Sequence, residues 1–212
     1  MSDTGVDGLL FVLSEPGDVP LEEFHHWYDT DHGPARLRVP GIHGGERYRA
    51  ADDRTPGWLA VYPLRSAALS TPEYAVARQR SAYEQTVVDR LATLDRRVYT
   101  LVDTTGTAAP GPPPLLLTVA MTSRVPDGLD AWYREEHLPL LQVVPGWRRT
   151  TRYRLTDGAA QAGLAVHEID GPEVFGTAEY ARALSTSRRS AVMADVVDRD
   201  RRLFAHHRTL RP

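Results

Sequence analysis

At 212 residues, with 25 basic and 28 acidic side chains interspersed, the chain carries a formal net charge of −3, which argues against nucleic acid as its main partner. Cysteine is absent, so disulfides, thiolate catalysis, iron–sulfur clusters and Cys-ligated zinc are excluded together. Every basic residue is arginine, which also excludes lysine Schiff bases, a pyridoxal phosphate linkage and a P-loop.

The N-terminal stretch MSDTGVDGLL lacks a basic segment and a long apolar run, and no apolar run elsewhere is long enough for a span. Neither a signal peptide nor a membrane helix is expected, and the protein reads as cytoplasmic. Leu9 to Leu13 form a short strand apolar on both faces. An amphipathic helix is expected over Leu21 to His32, with Leu21, Phe24, Tyr28 and His32 on one stripe. Val39-Pro40-Gly41 breaks it, and strands are expected over Ile42 to Ala50 and Trp58 to Leu64, separated by a turn-rich stretch. Ser70-Thr71-Pro72-Glu73 opens a second helix, expected to run to about Leu94, and Val98 to Val102 forms a fourth strand. Thr104 to Pro114 has the composition of a semi-rigid tether.

Beyond the tether the pattern returns. Trp27 to Arg49 realigns with Trp132 to Arg154 at an offset of 105, keeping Trp27/Trp132, Tyr28/Tyr133, His32/His137, Pro34/Pro139, the two Val-Pro-Gly turns and the two Arg-Tyr-Arg runs. Leu115 to Met121 is the counterpart first strand, followed by a helix over Leu129 to His137 and strands over Trp147 to Leu155 and Leu164 to Ile169. A helix from Thr177 to about Asp198, interrupted near Ser185 to Ser187, and a strand over Leu203 to Leu210 complete the second copy. The order is βαββαβ, twice. The expected fold is α+β: two ferredoxin-like repeats, residues 1–104 and 115–212, joined by a Pro-rich linker, 105–114, and packed sheet to sheet as an intramolecular dimeric α+β barrel.

The chemistry is expected where W-Y-x-x-x-H-x-P repeats. Tyr28 and His32 stand one helical turn apart, as do Tyr133 and His137, and each His is expected in the last turn, where the helix C-terminus raises its pKa. In the first copy His32 is followed by Gly33, Ala35 and Arg36; in the second, Leu138, Leu140 and Leu141 take those places, and the added bulk is expected to fill a cavity the first copy leaves open. A single site in the first half is therefore expected. His32 would be the general acid/base, Asp31 or another nearby carboxylate its orienter, Tyr28 or Tyr48 a hydrogen-bond donor, and Arg36 the group holding an anionic oxygen. His25, Trp27, Tyr48, His137 and Tyr133 complete the candidate substrate-binding set. The histidines and aspartates lack a specific metal-ligand spacing, and no metal site is expected.

These motifs, with Glu73-Tyr74-Ala75 and Glu179-Tyr180-Ala181 opening the second helices, resemble the EthD-like family of dimeric α+β barrel proteins, one family domain per copy. The resemblance implies a pocket between sheet and helices and a participating His at the end of the first helix, here His32. Neighbouring barrel families include cofactor-free isomerases, dehydratases of aromatic polyketide pathways and small monooxygenases. The expectation is a cofactor-independent dehydratase, isomerase or cyclase of secondary metabolism, acting on a small hydrophobic or polyketide-derived molecule, as a monomeric pseudo-dimer or a homodimer, without nucleic-acid or membrane partners. A haem-binding or cofactor-free monooxygenase and a non-catalytic binding protein are the alternatives.

Overall fold

The apolar run at the start of the chain becomes β1 (Gly8–Glu15), in which seven consecutive residues are buried. Leu10 and Val12 face the helices, while Leu9, Phe11 and Leu13 are buried on the opposite face. The computed structural model describes residues 5–212; the first four residues of the N-terminal stretch read for a leader lie outside the described residues.

In chain order, β1 is followed by α1 (Leu21–Trp27), a π-helical turn (Tyr28–His32) and α2 (Gly33–Leu37), then β2 (Glu46–Ala50) and β3 (Trp58–Leu64). A 3₁₀ turn, Ser66–Ser70, leads to α3 (Pro72–Ala77), α4 (Ala82–Val88) and β4 (Thr93–Gly106). The second half repeats this order. It runs through β5 (Leu115–Ser123), α5 (Pro126–Trp132), a π turn (Tyr133–His137), α6 (Leu138–Gln142), β6 (Trp147–Asp157), β7 (Gly163–Ile169), a 3₁₀ turn (Pro172–Gly176), α7 (Ala178–Leu184), α8 (Ser187–Ala194) and β8 (Val196–Thr209). No helix among the described residues is long and apolar enough to cross a membrane.

The chain divides into two compact units. The first comprises Met1–Leu101, Thr156–Gly158 and His207–Pro212; the second comprises Val102–Leu155 and Ala159–His206. In the first unit the hydrogen-bonded order is β4-β1-β3-β2, all antiparallel, with Leu10 opposite Tyr62 and Val98. The second unit has the matching order β8-β5-β7-β6, with Leu117 opposite His167 and Leu203. The end of β8 belongs to the first unit, where Thr209 Oγ1 donates to Glu46 at 2.7 Å and the Leu210 N–H to the Gly45 carbonyl at 2.8 Å. The end of β6 likewise lies against β4, Thr156 Oγ1 donating to the Val98 carbonyl at 3.1 Å. Within each unit the two central strands, β1 and β3 in the first and β5 and β7 in the second, have a hydrogen-bonded neighbour on each side.

Several boundaries differ from those read in the sequence: β2 starts at Glu46 and not Ile42, and β8 starts at Val196, inside the helix expected to run to about Asp198. The first helix does not stop at His32 but continues to Leu37. The second helix of the first copy is broken into α3 and α4, because Ser81 restarts it as an N-cap, its Oγ accepting the Glu84 N–H at 3.0 Å. Finally, β4 begins where that helix was expected to end and runs on through Gly106, so the tether is shorter than 105–114.

Candidate functional site

The site begins with proline. Pro34 and Pro139 lack the N–H that a regular helix would use, and their rings would meet the carbonyl four residues back. The backbone widens instead, with the Gly33 N–H reaching the Tyr28 carbonyl and the Leu138 N–H reaching that of Tyr133, five residues back in each copy. Both histidines therefore sit in mid-helix and buried, not in an exposed last turn. The expected rise in pKa is corrected accordingly. Burial, the largest influence on each, lowers His32 and takes His137 down to about 4.

In the first unit, His32 lines a chamber of about 470 Å³ between sheet and helices. Its Nδ1 lies 2.8 Å from Glu84 Oε1, in the first turn of α4. Burial raises the Glu84 carboxyl, but the His32 hydrogen bond and the charges of His32, Arg36 and Arg80 outweigh it, so the net shift is downward. An ionised carboxylate only accepts, so Nδ1 carries the proton and Nε2 is the acceptor. Nε2 has no hydrogen-bond partner among the described residues and its ring lines the chamber, which leaves it available to a ligand there. The ring is held by Trp27 and Tyr28, with centroids 4.8 and 5.0 Å away.

Arg36 follows one turn after His32, is buried, lines the same chamber, and donates through Nη1 to the Ala77 carbonyl at the end of α3. Tyr28 does not line the chamber. Tyr62 does, and its hydroxyl donates to that of Tyr28 at 3.4 Å, so Tyr28 touches the site through Tyr62.

The remaining candidates are placed elsewhere. Asp31 is exposed, and the orienting carboxylate is Glu84, from a helix 52 residues away in sequence. Trp27 is core. Tyr48 is buried on the opposite face of the sheet, because its neighbour Arg47 points to the helices and strand side chains alternate. His25 lies in a separate cleft that shares no lining residue with the chamber, stacked on His207 at 4.8 Å and edge-on to Trp58 at 4.5 Å. Burial, with Arg47 and His207 nearby, lowers its pKa to about 4.

In the second unit, His137 stacks on Trp132 at 4.2 Å and borders a cavity of only about 40 Å³, narrowed by Leu141, Leu184 and Met193. Tyr133 borders that cavity and an apolar groove of about 80 Å³. The caps Ser81 and Thr186 stand at the offset of 105, and at that offset Glu84 is replaced by Arg189. A cation stands where the first copy has a carboxylate, and Arg189 joins burial in lowering His137.

Two functional features escaped the sequence reading. Ser81-x-x-Glu84 is a helix-start signature lying inside what was read as continuous helix, and recognising it would have flagged both the break and Glu84. Arg47 and Arg152, the first arginines of the repeated Arg-Tyr-Arg runs, are buried cations beneath the aromatic pair. Arg47 lies 4.3 Å from the Tyr28 ring centre and 2.6 Å from Asp29 Oδ1, and Arg152 lies 5.0 Å from the Tyr133 ring and bonds Asp103 and Asp130.

No protein-family model matches the chain, and no curated protein does. Solved structures do. An anthrone oxidase-like protein superposes with a TM-score of 0.63 at 14% identity, over 98% of this chain and 93% of that one. A proposed monooxygenase from Lactobacillus acidophilus NCFM superposes at 0.58 and 10% identity, over 96% of each chain. A chlorite dismutase variant from Candidatus Nitrospira defluvii, in complex with cyanide, superposes at 0.61 and 11% identity, over 98% and 92%. This chain shares the fold of these structures. Their names carry oxidase, monooxygenase and dismutase chemistry. The expectation of a cofactor-free dehydratase, isomerase or cyclase is corrected on that finding.

Proposed function

We propose that the chain is an oxidase or monooxygenase acting on a small hydroxylated aromatic molecule in the His32 chamber of the first unit. The observation that carries this reading is the buried His32–Glu84 pair on the wall of a chamber of about 470 Å³, within the size range of small-molecule sites. Glu84 fixes the tautomer, and Nε2 of His32 accepts the proton of a bound phenol or enol. The resulting oxyanion is electron-rich, the form dioxygen attacks, and Arg36 stabilises its charge. Oxidation of a ring methylene to a carbonyl consumes one dioxygen molecule, with one oxygen atom entering the product and the other leaving as water, so no separate reductant is needed. Tyr28 positions the imidazole, and the second unit is the scaffold copy in which Arg189 has replaced the carboxylate. The shared βαββαβ order and the paired π turns also support descent from one duplicated EthD-like, ferredoxin-like domain.

The same hydrogen bond favours a second reading of the same chamber. An imidazole whose Nδ1–H is held by a carboxylate is a strong metal ligand through Nε2, so the donor fits haem, and His32 would be the residue to hold its iron. Haem, when bound, supplies electron-transfer and oxygen chemistry.

The test is oxygen uptake with 1,8-dihydroxyanthrone, before and after titration with hemin. Uptake above the buffer rate, reduced at least about a hundredfold in His32→Gln, is expected. A Soret shift on titration that His32→Gln abolishes selects the haem reading. Uptake at the buffer rate in both states overturns the proposal.

A further inference from the structure

The rim of the chamber specifies its ligand more narrowly than the His32–Glu84 pair does. Leu10, Val12 and Leu94 form an apolar floor, and Arg36, Arg78, Arg80 and Arg96 surround it. Arg96 is neutralised by Asp157 at 2.6 Å. Arg36 is spent on the Ala77 carbonyl and Arg80 on Gln85 Oε1 at 3.3 Å, both uncharged partners. Among the described residues no carboxylate lies within ion-pair distance of Arg36, Arg78 or Arg80; at longer range Glu84 interacts with Arg36 and Arg80, and Asp157 with Arg78, so two carboxylates stand against four guanidiniums. Clefts lined by one sign of charge above low-dielectric walls concentrate the opposite charge.

The second copy supplies the control. At the offset of 105, Arg36, Arg78 and Arg80 become Leu141, Ala183 and Ser185, while Arg96 remains arginine as Arg201. Arg36, Arg78 and Arg80 thus occur only in the half that has the open chamber, while the small second cavity carries Arg189, Arg199 and Arg201 without the room for a ligand ring.

We infer that the ligand of this chamber is an aromatic carboxylate, its flat apolar body over Leu10, Val12 and Leu94 and its carboxylate met by Arg78 and Arg80, with Arg36 left to the oxygen that His32 deprotonates. Guanidinium forks suit planar carboxylates, which they bind bidentately. The inference rests on the reading of the chamber as the active site and adds the class of its substrate.

Isothermal titration with 1-naphthoate and with 1-naphthylmethanol tests it, because the pair share a ring system and differ in charge. Naphthoate is expected to bind at least about tenfold more tightly than the alcohol, and to weaken as salt is raised. Arg78 and Arg80 lie on the exposed connection between α3 and α4, so the double variant Arg78→Gln/Arg80→Gln is expected to fold. It should lose about tenfold in naphthoate affinity and bind naphthylmethanol as before. Equal affinity for the two probes, or unchanged naphthoate binding in the variant, overturns the inference. Oxygen uptake separates it from the proposed activity: selective naphthoate binding without oxygen consumption sinks the oxidase reading alone, and oxygen consumption with no preference for the carboxylate sinks the inference alone.

Discussion

Replacing Glu84 with glutamine isolates the effect of its charge on His32, because glutamine keeps an oxygen that can accept from Nδ1–H. The two side chains are 9% and 13% exposed, so solvent screens the pair weakly. A hydrogen bond to a charged group contributes about 1.5–3 kcal/mol, against about 0.5–1.5 kcal/mol between neutral groups. The carboxylate accepts from Nδ1–H in both protonation states but attracts the imidazolium more; taking that excess as about 1–1.5 kcal/mol, at about 1.4 kcal/mol per unit it amounts to about one pKa unit. The direction is fixed by the neighbours. Burial lowers His32, Glu84 opposes it and Arg36 reinforces it, so removing the carboxylate moves His32 further down. A weaker base at Nε2 should slow proton acceptance by up to about tenfold, with the loss in kcat and little change in KM. Imidazole resonances followed by NMR across pH, with His32 assigned by comparison with His32→Gln, give the shift directly, and oxygen uptake gives the rate. His32 titrating at the same or a higher pH in Glu84→Gln would refute the reasoning.

Arg47→Ala should cost about 3–5 kcal/mol in urea unfolding, since it removes a cation that is 1% exposed, ion-paired to Asp29 and packed over Tyr28; a loss below about 1 kcal/mol would show that the pair is not structural. His137 and His167 are buried with pKa values lowered to about 4 and about 3, against 6.5 when unfolded. Both are neutral in the fold and take up protons on unfolding below pH 6.5, so the stability they contribute is present above 6.5 and lost as pH falls toward their folded values. The two together should remove about 4 kcal/mol between pH 7 and pH 5. His167→Gln should remove about half of that pair's share, leaving the slope due to His137, His25 and His32, and a flat urea-midpoint profile would contradict it. Gly41→Ala should lower the melting temperature, costing about 1–2 kcal/mol, because φ is +92° and the new methyl would lie 3.0 Å from the Ala68 Cβ. Gly44→Ala, with open space around it, is the matched control and should be near neutral.

The sequence by itself determined the elements and their order. Apolar alternation and helical spacing are set by residues two to four apart, and Pro, Gly and Ser/Thr caps act on their own backbone, so β1, the Val-Pro-Gly turns and the recurring order of elements were readable from local pattern. It also brought forward His32 and Arg36, two side chains of the chamber, because one stretch of helix presents both. Even here a local rule was missed: the proline after each His forces the π turn that carries the helix past His32.

The tertiary structure decided which groups meet. Asp31 was chosen as orienter for its nearness in sequence, yet it faces solvent, while Glu84 reaches His32 because α4 packs across that helix. Arg47 points inward and Tyr48 outward because the pleat alternates and the helices cover one particular face of β2. Arg78 and Arg80 come to the chamber because the helix breaks just where they lie. Ion pairs, burial and cavity volume are relations between elements distant along the chain. Nearest-neighbour pattern does not encode them, so they came into being only when the helices were laid on the sheet.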